Sequence, residues 1–163
     1  LEKAWRILGA ALHSTEIPPR PAQVASGIGV PGWKKKAAGE GAEALAARRV
    51  LNSLRAQTGF YLPRGEEWKG NFKGAALLLS VAETIRPGEP RLTYHLAADL
   101  VRSGDSRQGL QALERSVRAG FRDLERLRHD PDFDPVRNSP RYARIEKELV
   151  RLQGRSKSSG GER

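Results

Sequence analysis

Apolar positions recur at helical spacing along most of this chain. Ala4, Trp5, Leu8, Ala11 and Leu12 share one face of a helix over residues 1–14. From Glu43 the residues Leu45, Ala46, Val50 and Leu54 alternate with Arg48, Asn52, Ser53 and Arg55, which predicts a second, longer helix. Further on, Leu78, Leu79, Ala82 and Ile85 form a stripe, as do Leu92, Leu96, Leu100 and Val101, and then Leu110, Leu113 and Val117. Shorter apolar faces follow in Phe121, Leu124 and Leu127, in Phe133 and Val136, and in Tyr142, Ile145 and Leu149. The fold class this pattern predicts is all-α.

The polar breaks between the stripes are as informative as the stripes. Gly70 and Gly104 each close a turn, and glycine supplies the positive-φ residue that ends one helix. Asn71 and Asp105 follow them, placed to cap the next helix. Ala75 then allows close approach of the two helices, and Pro87 stops the second one. Asp130-Pro131 and Ser139-Pro140 read as two further helix starts, each a capping side chain followed by proline.

The two glycines stand 34 residues apart, and this run of turn, small residue and apolar stripe resembles the tetratricopeptide (TPR) repeat, a helix–turn–helix unit with a period of ~34 residues. The resemblance covers about two units, roughly residues 56–121. Gly109 and Ser116 depart from it where the family has alanine, as does Phe121 where the family has proline. The run Asp130-Pro131-Asp132-Phe133 through Arg137 and Pro140-Arg141-Tyr142 looks like the ending that follows the last unit of many bacterial TPR proteins. The resemblance therefore implies a bacterial protein with a TPR-like helical-hairpin array over residues 43–153, closed by C-terminal capping helices. It also implies a concave groove lined by the first helices of the units, with Phe60, Arg64, Trp68, Arg91, Tyr94, His95, Ala98, Val101 and Arg102 as candidate contacts. Aromatic and arginine side chains together suit a partner protein with an acidic or extended, carboxylate-bearing segment. Phe60 and Arg64 stand where the chaperone-type carboxylate clamp has Lys and Asn, which argues against chaperone tails.

Residues 15–42 break the pattern. Pro18, Pro19, Pro21 and Pro31 alternate with Gly27, Gly29, Gly32, Gly39 and Gly41, which reads as an extended, basic N-terminal arm. Its Ile17, Val24, Ile28, Val30 and Trp33 are more anchors than a solvated linker needs. The expectation is an arm that is mobile in the isolated chain and ordered by a partner, with Trp33 at the centre of the contact. Pro63 predicts a break near Gly59 to Gly65, and the Ser/Gly-rich residues 154–163 a disordered tail.

The net charge of +10 is unevenly spread: residues 1–64 hold ten Lys/Arg against four Asp/Glu, residues 65–120 eight against seven. A nucleic-acid solenoid carries its basicity along the repeats, so this distribution favours a protein partner, with nucleic-acid association through Lys34, Lys35 and Lys36 and the tail as the alternative. Gly27-Ile28-Gly29-Val30-Pro31-Gly32 fits G-x-G-x-x-G but lacks the strand and helix that aim it at a pyrophosphate. With no cysteine, and with His13, His95 and His129 in separate elements, no nucleophilic or metal-binding constellation emerges. No apolar run reaches the ~18 residues of a membrane span. A chain that starts at Leu1 and holds no methionine reads as part of a longer protein, which leaves compartment and secretion open. The reading is a non-catalytic interaction scaffold or accessory subunit without cofactor or metal. A regulatory C-terminal region of a longer enzyme is the other alternative.

Overall fold

The computed structural model describes residues 2–13 and 20–158, with side chains described as far as Gly154. Every regular element among them is helical, and none of these helices is long and apolar enough to cross a membrane. The chain divides into two compact lobes, Leu1–Pro87 and Gly88–Arg163.

The N-terminal lobe contains α1 (Glu2–Leu12), α2 (Pro21–Gly27), α3 (Val30–Ala37), α4 (Gly41–Ala56), a π-helical turn (Gln57–Tyr61), α5 (Leu62–Trp68) and α6 (Phe72–Ile85). The extended arm expected over residues 15–42 is overturned where the chain is described. Pro21 and Pro31 each sit in the first turn of a short helix, the position where a missing N–H costs nothing. Gly29, at φ 85°, makes the left-handed corner between the two helices. Val24, Ala25, Ile28 and Val30 are buried in one core with Ala4 and Leu8 of α1, Leu54 of α4, and Leu78, Val81 and Ile85 of α6. Arg48 of α4 donates from Nε to the Ala37 carbonyl at 2.9 Å and from Nη2 to that of Gly39 at 3.0 Å, satisfying the exposed end of α3. Ile17 lies outside the described residues.

The break expected near Gly59 to Gly65 is also absent: the backbone stays helical from Gly41 to Trp68. The chain widens into the π turn instead, with the Leu62 N–H reaching the Gln57 carbonyl. Pro63 then falls in the first turn of α5, where its ring is tolerated. The buried Thr58 hydroxyl donates to the Leu54 carbonyl at 2.8 Å. The buried face of α4 carries Ala44, Ala47 and Leu54, while Leu45 points outward.

The C-terminal lobe contains α7 (Pro90–Arg102), α8 (Ser106–Ala119), α9 (Leu124–His129), a 3₁₀ segment (Pro131–Val136) and α10 (Pro140–Ser158). The expected tail is corrected at its start, because α10 continues through residues 154–158; residues 159–163 lie outside the described part. The core joins Leu96, Ala97 and Val101 of α7 to Leu110, Leu113 and Val117 of α8, and includes Phe121, Leu124, Leu127, Phe133, Val136, Tyr142, Ile145 and Leu149.

The turns at Gly70 and Gly104 have the same hydrogen-bond pattern. Gly70 (φ 74°) and Gly104 (φ 91°) are left-handed. Asn71 N–H donates to Glu66 O and Gly70 N–H to Glu67 O; Asp105 N–H donates to Leu100 O and Gly104 N–H to Val101 O, the double closure of a Schellman end. The next helix is then capped by Asn71 Oδ1 accepting from Gly74 N–H and by Asp105 Oδ1 accepting from Gln108 N–H, each at 3.0 Å. Gly109 and Ser116 of α8 each have a structural reason. A Cβ on Gly109 would stand 2.6 Å from Val101 Cγ2 and 3.0 Å from the Ala97 carbonyl oxygen, so α7 and α8 approach where only glycine fits. The buried Ser116 hydroxyl donates to the Pro90 carbonyl at 2.6 Å, tying α8 to the start of α7.

Candidate functional site

Phe60, Arg64 and Trp68 follow one another at intervals of four along the π turn and α5, and all three are exposed. Trp68 is 92% exposed, Tyr61 61% and Phe60 53%, values that no packing role accounts for. Tyr61 meets Phe60 edge to face with ring centroids 5.0 Å apart. The Arg64 guanidinium lies 5.4 Å from the Phe60 ring centroid, a cation–π pairing between two exposed side chains. The π turn brings Phe60 and Tyr61 to this surface, because an extra residue in the turn rotates the face that each following side chain presents.

The other expected contacts fall out differently. Trp33 is only half-buried, with its indole against Gly29, and Lys36 Nζ lies 5.8 Å from its ring centroid. Arg91, His95 and Arg102 lie on the exposed side of α7. Arg102 pairs with Asp132 at 3.4 Å. Tyr94 is corrected from groove contact to core: it is 1% exposed and stacks on Phe121 with centroids 4.4 Å apart. Its hydroxyl donates to Asp130 Oδ2 at 2.7 Å. Burial, reinforced by the Asp130 carboxylate, pushes the Tyr94 phenol well above the ordinary tyrosine range. Ala98 and Val101 are buried with it.

The acidic cluster of the C-terminal lobe acts in structure. Asp130 Oδ1 accepts from the Asp132 N–H and caps the 3₁₀ segment. Asp134 binds Arg137 at 2.7 Å, and Arg137 donates to the carbonyls of Arg128 and Asp130. Burial raises Asp132, against the pull of Arg102. Among the described residues no group of His, Asp and Glu is arranged to hold a metal ion. The lysine run is engaged locally as well: Lys36 pairs with Glu43 at 2.7 Å, and Lys34 Nζ donates to the Thr84 carbonyl at 3.3 Å.

A feature that sequence reasoning missed is a cleft of about 780 Å³ between α8 and α10. It is lined by Glu114, Val117, Arg118, Arg122, Arg141, Arg144, Ile145, Glu148 and Leu152. The signal for it was the run of arginines at helical spacing on two elements, visible only once α8 and α10 are known to pack together. No protein-family model, curated protein or solved structure matches the chain.

Proposed function

We propose that this chain is a non-catalytic protein-interaction module of TPR-like construction, an accessory subunit or part of a larger scaffold. The support for the repeat reading is the matched pair of turns at Gly70 and Gly104, each a Schellman end followed by an Asn or Asp cap, 34 positions apart in a repeat whose unit length is ~34. On this reading α9, the 3₁₀ segment and α10 serve as the C-terminal cap, supplying the apolar surface that a third repeat would offer.

The observation that carries the functional reading is the exposed aromatic stripe. A tryptophan, a phenylalanine and a tyrosine left on one helical surface beside an arginine lose the burial that stabilises such side chains elsewhere. Aromatic and arginine residues are also the types that dominate interface hot spots. A partner that covers Phe60 and Trp68 recovers that burial, and Arg64 supplies a planar donor for a carboxylate at its edge. The histidines are spread along the chain: His13 Nδ1 contacts the Gly9 carbonyl at 2.7 Å, His129 Nδ1 contacts that of Glu125 at 2.9 Å, and His95 is exposed on α7.

The test is affinity purification from the source with the wild-type chain and with the Phe60→Ala/Trp68→Ala double variant. A partner present with the first and depleted at least tenfold with the second supports the reading. A partner set that is unchanged between the two overturns it.

A further inference from the structure

The α8–α10 cleft lies wholly in the C-terminal lobe and is separate in sequence from the aromatic stripe. Its walls hold four arginines against two glutamates. Part of this charge is already matched. Arg141 forks onto Glu114, Nε to Oε1 and Nη2 to Oε2, both at 2.8 Å, and Arg151, outside the cleft lining, takes Glu148 in the same two-pronged way at 2.8 and 2.7 Å. Arg122 donates from Nη1 to the carbonyls of Val117 and Phe121 at 2.7 Å, closing the end of α8, and its positive charge stays in the cleft. Arg118 and Arg144 line the same cleft from opposite helices, and both act on the Glu114 carboxylate, helping Arg141 to hold it below the usual carboxylate range. The carboxylate side of the cleft is thus consumed, while the cationic side keeps an excess.

The floor is apolar. Val117 comes from α8, and Ile145 and Leu152, seven residues apart, from one face of α10. From Arg141 to Leu152 the lined part of α10 runs about 16 Å at ~1.5 Å per residue, the length of three helical turns. A strip of aliphatic side chains between arginines is built for a ligand that carries apolar anchors flanked by acidic groups. A nucleic-acid backbone has phosphates but nothing for the aliphatic floor. Residues 154–163 do not fit, with three Lys/Arg against one Asp/Glu, and a second copy brings its own net charge of +10.

We propose that the α8–α10 cleft docks an acidic amphipathic segment of a partner protein, with Arg118 and Arg144 taking its carboxylates and the half-buried Leu152, beside the accessible edges of the mostly buried Val117 and Ile145, its apolar side chains. The proposal deepens the interaction reading above but uses a surface of its own, so each stands or falls by itself.

The probe is a fluorescein-labelled peptide of about twelve residues, the span of the cleft at helical rise, with Leu at i and i+7 and Glu at the positions between. Fluorescence anisotropy is read with the full chain. The expected result is saturable binding that weakens about tenfold or more in Arg118→Ala/Arg144→Ala and several-fold in Arg118→Lys/Arg144→Lys, since lysine keeps the charge and loses the planar fork. A peptide with Gly in place of both Leu binds several-fold more weakly. A loss of peptide affinity in Phe60→Ala/Trp68→Ala as large as that in Arg118→Ala/Arg144→Ala would place the peptide on the stripe and overturn the proposal. Circular dichroism of the arginine variants matches the wild type, because both side chains project into the cleft rather than the core. The proposal is overturned by absence of saturable binding, by equal affinity in the double alanine variant, or by indifference to the Leu replacements. Displacement of the peptide by an equal concentration of single-stranded oligothymidylate also overturns it, since that outcome makes the cleft a general polyanion surface.

Discussion

Tyr94 of α7 donates its phenol proton to Asp130, which also caps the 3₁₀ segment, so one carboxylate fixes the start of that segment and ties it to the first helix of the lobe. Tyr94→Phe keeps the ring on Phe121 and removes the phenol's bond to Asp130 together with its contact to the Arg126 guanidinium; a hydrogen bond to a charged partner is worth about 1.5–3 kcal/mol, and the variant should lose about that much in urea unfolding. Asp130→Ala should lose more, since the cap goes as well, about 1 kcal/mol by itself.

The same pair sets an alkaline limit. The Tyr94 phenol is raised in the folded chain by burial and by Asp130, so the neutral form is the one the fold favours. That contribution is complete below the unfolded value of about 10 and is lost as pH climbs above it. Burial raises the Tyr142 phenol in the same direction. Stability should therefore fall above about pH 10, and the fall should be shallower in Tyr94→Phe than in the wild type. Equal slopes in the two proteins would contradict this.

Gly109 and Gly65 give opposite outcomes for one substitution. Alanine at 109 meets Val101 and the Ala97 carbonyl, and this overpacking should cost about 1–3 kcal/mol in spite of better helix propensity. Alanine at 65, within α5, meets nothing within 4 Å and should stabilise by about 0.5–1 kcal/mol. Thermal melts of the two variants check both signs.

The segment from Pro21 to Ala37 should behave as core in the isolated chain. Ile28→Ala should cost about 2–5 kcal/mol, as truncation of a buried aliphatic does. The amides of Ile28 and Trp33, bonded to Val24 O and Gly29 O, should exchange slowly without any partner present. Fast exchange there would restore the mobile arm.

That segment shows where sequence reading reaches its limit. The turns at Gly70 and Gly104 were legible because their chemistry is local: a left-handed glycine, a capping Asn or Asp, and the helix it opens all lie within a few residues. Helices α2 and α3 are seven and eight residues long, too short to show a stripe, and their prolines and glycines mark ends as readily as they mark breaks. Only packing against α1, α4 and α6 reveals them as core. Pro63 misled for a similar reason, since a π turn absorbed the ring that an unbroken α-helix would have rejected. At the site, Phe60 and Tyr94 read alike as aromatic residues 34 positions apart. What separates them is a partner 36 residues downstream of Tyr94, and no local rule connects it to Asp130.

On the function proposed above, the exposed stripe of the π turn and α5, and not the folded α2–α3 segment, meets the partner. Photo-crosslinking with a benzophenone side chain placed at position 68 or at position 33, in the full chain within a lysate of the source, tests it most directly. The expected result is a discrete crosslinked partner from position 68 that is competed away by unlabelled wild-type chain but not by Phe60→Ala/Trp68→Ala, and no such product from position 33. A discrete product from position 33 with none from position 68 would contradict it.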